Sequence, residues 1–125
     1  MKLFALAALL LVFVSHGPQN QQKDPCQGET TAEMKMCAAK RYKQADDELN
    51  VTYRRLMAKL DDAGHRTSLK TAQQNWLKYR DSNCDFESYL NRGGSIYSVI
   101  AGECMISMTE SRTKELTEEI KQLDQ

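Results

Sequence analysis

Histidine is scarce in this chain, with only His16 and His65 among 125 residues. His65 falls in a predicted turn and His16 precedes the predicted folded domain, so no Ser–His–Asp arrangement is apparent. The cysteines lack histidine partners and the close spacing that a structural zinc site uses. The sequence therefore predicts that the protein is not an enzyme and has no catalytic residues, metal or cofactor.

An excess of charge of either sign is also missing. The chain has 17 Lys and Arg against 17 Asp and Glu, a formal net charge of zero. Proteins that are drawn to nucleic acid or to anionic membranes carry a basic surface field. We therefore expect neither nucleic acid nor a membrane surface as a partner.

Long apolar runs are limited to one, at residues 3–14, and it is too short to span a bilayer as a mature helix. Lys2 precedes this run and small or polar residues follow it, which is the pattern of an export signal. We predict a signal peptide at 1–17, a disordered polar lead-in at 18–25 and one small folded domain at 26–125.

The predicted export signal determines how the four cysteines are interpreted. An exported chain reaches an oxidising compartment, where an even cysteine count predicts disulfides. Cys26 follows Asp24 and Pro25 rather than a run of small residues, so we expect no lipid anchor on it. The mature protein is predicted to be soluble, either periplasmic or secreted, with no stable membrane anchor.

Strand signals are absent, since β-branched residues are sparse and no alternating apolar run occurs. Apolar or small side chains instead recur every three or four residues in three segments, 31–60, 67–90 and 95–123. Short connections force consecutive helices to run antiparallel. The predicted fold is therefore all-α, a small antiparallel bundle of three long helices with two disulfides.

Residues at the ends of these segments predict where each helix begins and ends. The segment Asp61-Asp62-Ala63-Gly64 is expected to end the first helix, with Gly64 in the left-handed conformation. Phe86 and Leu90 are placed on the buried stripe of the second helix. Gly102 lies in the third helix, where it is expected to permit close contact with a neighbouring helix. The expected N-terminal caps are hydroxyl side chains, Thr30 or Thr31, Thr67 or Ser68, and Ser95.

Distance from the second turn predicts the disulfide pairing. Cys84 lies ten residues before Gly94 and Cys104 lies ten residues after it, so both reach the same height on facing helices. This predicts a Cys84–Cys104 bridge and leaves Cys26 to pair with Cys37 by elimination.

Charged residues interrupt the apolar stripes at three positions. Asp46 and Arg80 are predicted to lie at one level on facing helices, and Arg112 lies level with Trp76, where its guanidinium can stack on the indole. One interpretation is a ligand-binding carboxylate with two arginines. The other, which we favour, is an internal polar brace that fixes the register of the helices.

The second turn carries the candidate partner-binding residues Arg92, Gly93, Gly94 and Ser95. It lacks the preceding strand and the Gly-Lys-Ser/Thr ending of a phosphate loop. A turn of this composition usually serves only as a connection. It nevertheless combines a flexible backbone with an arginine, so that it can contact a partner protein.

With these features identified, the chain resembles the family built on the lysozyme inhibitor LprI-like N-terminal domain. The resemblance runs from Cys26 to Leu116. It is carried by Cys26 and Cys37, Ala45-Asp46, Leu49-Asn50, Tyr53, Leu69, Gln73, Trp76, Tyr79-Arg80-Asp81, Cys84, Gly93-Gly94-Ser95, Cys104, Thr109, Arg112 and Leu116. The resemblance implies an exported, disulfide-bearing helical domain of the bacterial envelope, and it suggests inhibition of c-type lysozyme.

Two functions from different classes remain open at this point. The first is a proteinaceous inhibitor of c-type lysozyme, with acidic residues on the third helix for attraction and Arg92 entering the catalytic cleft. The second is a periplasmic binding or assembly module that has no enzyme target. A compact helical bundle with a polar surface would serve either function.

Overall fold

The structure is a computed structural model that describes residues 24–125. Its helices are α1 (Thr31–Lys59), α2 (Ala63–Ser88) and α3 (Tyr97–Leu123), with short 3₁₀ helices at Pro25–Gln27 and Tyr89–Asn91. The described residues contain no strand, so the predicted all-α fold is confirmed. The predicted signal peptide at 1–17 and residues 18–23 of the predicted lead-in lie outside the described residues.

The start of α1 is fixed by a reciprocal pair of hydrogen bonds, a capping box. The Thr30 hydroxyl accepts from the Glu33 backbone N–H at 3.2 Å, and the Glu33 carboxylate accepts from the Thr30 N–H at 3.0 Å. Together these bonds satisfy two backbone donors that would otherwise be unpaired at the helix start. The predicted start of the first helix is thereby confirmed.

The boundary between α1 and α2 differs from the prediction. The carboxylate of Asp62 caps α2 by accepting from the His65 N–H at 2.7 Å, so α2 begins at Ala63 rather than near 67. Gly64 therefore lies in the first turn of α2 and not at a left-handed end of α1. The Thr67 hydroxyl donates to the Ala63 carbonyl inside the helix instead of capping it.

The turn between α2 and α3 depends on one glycine. Gly93 has a φ of +79°, a conformation that glycine adopts without the steric cost of a side chain. α3 begins at Tyr97, two residues later than predicted, and Ile96 occupies the cap position without a side-chain hydrogen bond. The prediction that Ser95 caps this helix is therefore wrong.

The three helices run up, down and up, so α1 and α3 are parallel to each other and pack along much of their length. Gly102 of α3 allows this close approach, because a Cβ placed there would lie 3.3 Å from the Cβ of Ala38. The core gathers towards the C-terminal ends of α1 and α3. Its buried members are Leu49, Leu56, Leu60, Leu116 and Ile120, with Tyr53, Leu69 and Trp76 packed against them.

Both predicted disulfides are confirmed. The bridge between Cys26 and Cys37 ties the first 3₁₀ helix to α1, with a Cα–Cα distance of 4.7 Å. The bridge between Cys84 and Cys104 ties α2 to α3, with a Cα–Cα distance of 5.6 Å. α2 is thus fixed covalently to α3, close to the turn that carries Arg92.

Candidate functional site

Arg80 of α2 is a buried cation that reaches all three helices. Its side chain is 5% exposed, and its Nε and Nη2 atoms donate to the Asp81 carboxylate at 2.9 and 2.8 Å. Nη1 lies 3.8 Å from Oδ1 of Asp46 on α1 and donates to the Thr109 hydroxyl of α3 at 3.3 Å. The guanidinium carbon also lies 5.4 Å from the ring centre of Tyr42 and 5.3 Å from that of Trp76.

The surroundings of Arg80 affect a neighbouring phenol. Burial raises the pKa of Tyr42, and the positive charge of Arg80 opposes that shift. Desolvation disfavours the phenolate, whereas a nearby cation favours it. Tyr42 therefore stays a neutral ring over which the guanidinium can stack.

Arg112 of α3 forms a second polar contact with α2. Its Nε donates to the Gln73 side-chain oxygen at 3.1 Å, and its Nη1 donates to Glu115 at 2.8 Å. Its guanidinium carbon lies 5.9 Å from the Trp76 ring centre, at the outer limit for a cation–π contact. Trp76 is thus placed near two arginines that come from different helices.

These contacts allow a choice between the two interpretations of the interrupted stripes. Among the described residues, no buried side-chain nitrogen or oxygen lacks a hydrogen-bond partner. A binding site that awaits a ligand usually leaves polar groups unsatisfied, whereas a structural network satisfies them. From these contacts we infer an internal brace, a proposal that the stability of an Arg80 variant tests. We refer to Asp46, Arg80, Trp76 and Arg112, with Tyr42, Gln73, Asp81 and Thr109, as the polar brace.

Four of these partners have no assigned brace role in the sequence analysis, namely Tyr42, Gln73, Asp81 and Thr109, although a signal for Thr109 was present. Ile106 and Thr109 are both buried in α3, at 1% and 0% exposure. A polar residue three positions from an isoleucine on a helix shares its face, so Thr109 could have been placed inside.

The turn residues are exposed, but Arg92 is not unpaired. Its guanidinium forms an ion pair with Asp85, which also accepts from the Tyr97 hydroxyl at 3.0 Å. The guanidinium carbon lies 4.5 Å from the Tyr89 ring centre. The hydrogen bonds from Arg92 and Tyr97 lower the pKa of Asp85, and the hydrogen bond to Asp85 raises the pKa of Arg92. Gly93, Gly94 and Ser95 follow in the exposed part of the same turn.

Large apolar side chains are exposed beside this turn. Phe86 is 77% exposed and Leu90 is 95% exposed, so their predicted position on the buried stripe is wrong. The buried residues of α2 are Gln73, Arg80, Cys84 and Ser88. Cys84 is held inward by its bridge to α3, and Phe86, two residues later, points roughly 200° away from it.

A groove of about 440 Å³ opens at the opposite end of the bundle. Its walls include the core residues Leu56, Leu60 and Leu116, and His65, Arg112 and Glu119 lie among its polar lining residues. It is the open edge of the hydrophobic core. Within residues 24–125, no group of three or more His, Cys, Asp or Glu side chains is placed to hold a metal ion. No helix in that part of the chain is long and apolar enough to cross a membrane.

These features define a class of small, disulfide-stabilised three-helix proteins with a buried arginine brace and an exposed, arginine-bearing turn. The chain matches the family described as lysozyme inhibitor LprI over residues 23–116. It therefore belongs to that family, as the resemblance in its sequence indicates.

One similar sequence and one similar crystal structure extend this comparison. It is 36% identical to an uncharacterized protein of Rhizobium meliloti (strain 1021), over 91% of this chain and 93% of that protein. It is also similar to the crystal structure of a DUF1311 family protein from Pseudomonas putida KT2440, with a TM-score of 0.65 and 26% identity. That similarity covers 70% of this chain and 91% of the Pseudomonas chain.

Proposed function

We propose that the mature protein is exported to the periplasm or beyond the cell and there binds and inhibits a c-type lysozyme. The observation that carries this proposal is membership of the lysozyme inhibitor LprI family over residues 23–116. Two disulfides within one small domain fit an oxidising compartment. The family relationship also speaks for a binding function rather than a catalytic one.

The contact surface that we propose is the Arg92–Ser95 turn together with the adjoining end of α2. Exposed loops on a rigid scaffold commonly carry binding function. A lysozyme cleft contains two catalytic carboxyl groups, and an arginine can form paired hydrogen bonds with a carboxylate. The guanidinium has five N–H donors and Arg92 holds Asp85 through Nη2, so a carboxylate of the enzyme can be bound while the contact with Asp85 is kept.

Acidic side chains on and beside α3 can attract a basic lysozyme, but most of them are already paired with cations of this chain. The candidates are Glu110, Glu115, Glu118, Glu119 and Asp124, and three of them already form ion pairs. Glu115 is paired with Arg112, Glu118 with Lys121, and Asp124 with Lys59. We therefore expect the attraction to be local and to weaken as salt is added.

The decisive experiment measures cell-wall lysis by a c-type lysozyme in the presence of the purified, oxidised mature protein. We expect inhibition that saturates with concentration, and weaker inhibition at higher salt. Full lysozyme activity at high micromolar concentrations of the protein would contradict the proposal. The alternative of an envelope binding or assembly module would then be preferred.

A further inference from the structure

The end of α2 and the 3₁₀ helix that follows it carry an apolar surface that the bundle does not cover. We call Phe86, Tyr89 and Leu90 the α2 patch; their exposed fractions are 77%, 57% and 95%. Tyr79 extends the same face two helical turns earlier and is 59% exposed. Large apolar residues exposed together are typical of protein interaction sites, whereas single exposed ones are ordinary.

Charge around the α2 patch is uneven. Glu87 lies among the patch residues and accepts a hydrogen bond from the neutral amide of Asn83 at 2.8 Å, with no cation recorded beside it in the described part of the chain. The carboxylates of Asp81 and Asp85, by contrast, are each paired with an arginine. The C-terminal end of a helix adds partial negative charge at the same place. The patch therefore combines an apolar centre with a negative edge.

Part of the patch is held in place before any partner arrives. The Tyr89 ring lies under the Arg92 guanidinium at 4.5 Å, and Arg92 is held by Asp85. Asp85 in turn accepts from the Tyr97 hydroxyl at the start of α3. Aromatic and arginine side chains that are already ordered lose little conformational entropy on binding, which favours them as the main contributors to affinity.

We propose that the α2 patch is the centre of the surface that binds the lysozyme, with Arg92 at its edge. This inference rests on the proposed function and specifies the contact further. A basic protein surface with exposed apolar groups complements an apolar centre next to Glu87. A second copy of this chain is the poorer occupant, because a symmetric contact would bring two Glu87 carboxylates and two negative helix ends together.

The test compares patch variants with matched controls in the full oxidised protein. Phe86→Ala and Leu90→Ala remove apolar contact, and Glu87→Lys reverses the charge at the edge. The controls are Val51→Ala, which truncates an apolar side chain that is 48% exposed on α1, and Glu48→Lys, which reverses an exposed charge on the same helix. Inhibition and direct binding are measured with one c-type lysozyme.

We expect each patch variant to weaken binding by about tenfold or more, as truncation of a central interface residue does. The control variants should stay within about twofold of the wild type, as substitutions outside an interface do. Leu90→Ala should leave the melting temperature unchanged because the side chain makes little contact within the protein.

The outcomes separate this inference from the proposed function. If the wild type inhibits and the patch variants inhibit equally well, the patch assignment is wrong and the inhibitory function stands. If the wild type neither binds nor inhibits the lysozyme, the function fails and the assigned partner fails with it. If sedimentation shows pairs of wild-type copies that Leu90→Asp separates, the patch joins two copies of this chain and the proposal is overturned.

Discussion

At the scale of the residue, Arg80 shows how a buried charge can be kept in a small core. Its guanidinium has two carboxylates, one hydroxyl and two aromatic rings around it, and these belong to all three helices. The two carboxylates remain partly exposed, at 37% for Asp46 and 59% for Asp81. The cation is therefore buried while its counter-charges keep some hydration, which lowers the desolvation cost of the pair.

We predict that Arg80→Ala destabilises the protein by about 3 kcal/mol, at the lower end of the range for breaking a buried pair. The carboxylates that remain can be hydrated, so most of the loss comes from packing and from the bond to Thr109. Urea unfolding measures the change. Arg54→Ala, at an exposed position on α1, is the matched control and should stay within about 0.5 kcal/mol of the wild type. An equally small loss for Arg80→Ala would contradict the brace.

Arg92→Ala is predicted to weaken lysozyme inhibition without lowering thermal stability appreciably. The residue is half-exposed, and exposed ion pairs contribute little to folding. Inhibition assays and thermal unfolding of the same preparation check the two parts separately. Arg54→Ala is again the control, and it should preserve both properties. Equal inhibition by Arg92→Ala and the wild type would remove Arg92 from the contact surface.

The lowered pKa of Asp85 predicts a dependence of stability on pH. The usual value is 3.8, and the bonds from Arg92 and Tyr97 hold the pKa of the folded state below it. A lowered folded pKa contributes stability above the unfolded value, and the contribution is lost as pH falls through the folded pKa. The stability difference between the wild type and Asp85→Asn should be constant above about pH 5 and shrink below 3.8. Thermal unfolding across this range measures it, and a difference that grows in acid would contradict the assignment.

At the scale of the element, Gly28 and Gly102 permit two contacts that a larger side chain would disturb. A Cβ at Gly28 would lie 2.1 Å from Cδ and 2.5 Å from Cβ of Glu33. Glu33 completes the capping box of α1, so Gly28 leaves room for that carboxylate. At Gly102 the nearest atom is the Cβ of Ala38, at 3.3 Å, and α1 and α3 approach each other there.

Gly28→Ala is predicted to cost about 1 kcal/mol, the usual size of a lost N-terminal cap. Glu33→Ala should produce a similar loss, and the double variant should lose less than the sum, because both changes disrupt one capping box. Chemical unfolding of the three variants provides the measurement. Fully additive losses would mean that Gly28 acts independently of the cap.

Gly102→Leu is predicted to destabilise the protein by about 1–3 kcal/mol, because the larger side chain forces α1 and α3 apart. Gly102→Ala should be close to neutral, since the gain of about 1 kcal/mol in helix propensity offsets a tight contact with Ala38. Ser98→Leu, at an exposed position on the same helix, is the control and should have little effect. Equal free energies of unfolding for Gly102→Leu and Ser98→Leu would mean that the close approach of α1 and α3 does not limit the size of residue 102.

At the scale of the whole molecule, three long helices with a modest core depend on their disulfides. The closed loops have sequence separations of 20 for Cys84–Cys104 and 11 for Cys26–Cys37. Each cross-link restricts the unfolded chain and adds about 3 kcal/mol in the chain-entropy model. Small exported domains with limited cores commonly rely on such links.

We predict that the double variant Cys84→Ser with Cys104→Ser loses about 3 kcal/mol of stability and loosens α2 from α3. The variant Cys26→Ser with Cys37→Ser should lose slightly less, because its loop is shorter. Only the first variant should also weaken lysozyme inhibition, since it frees the end of α2. Unfolding and inhibition measured side by side test this, and equal inhibition by both variants would contradict the link between the bridge and the site.

The sequence by itself determined the helical class, the approximate helix bounds and both disulfides. The helices follow from the spacing of apolar residues and the position of glycines, the Cys84–Cys104 bridge follows from equal distances to one turn, and the Cys26–Cys37 bridge follows by elimination. The family relationship is carried by the same residues.

Tertiary structure alone decided which face is buried near the end of α2, and it brought Tyr42 and Thr109 to Arg80 and Gln73 to Arg112. The start of α2 was missed for a different reason, because the Asp62 carboxylate that caps it at the His65 N–H is a local signal, three residues away in sequence. Successive helical residues are about 100° apart, so a small error in the predicted rotation of a helix about its axis moves a residue from the core to the surface. The Cys84–Cys104 bridge turned Cys84 and Ser88 inward, and for that reason Phe86 and Leu90 face outward beside Arg92.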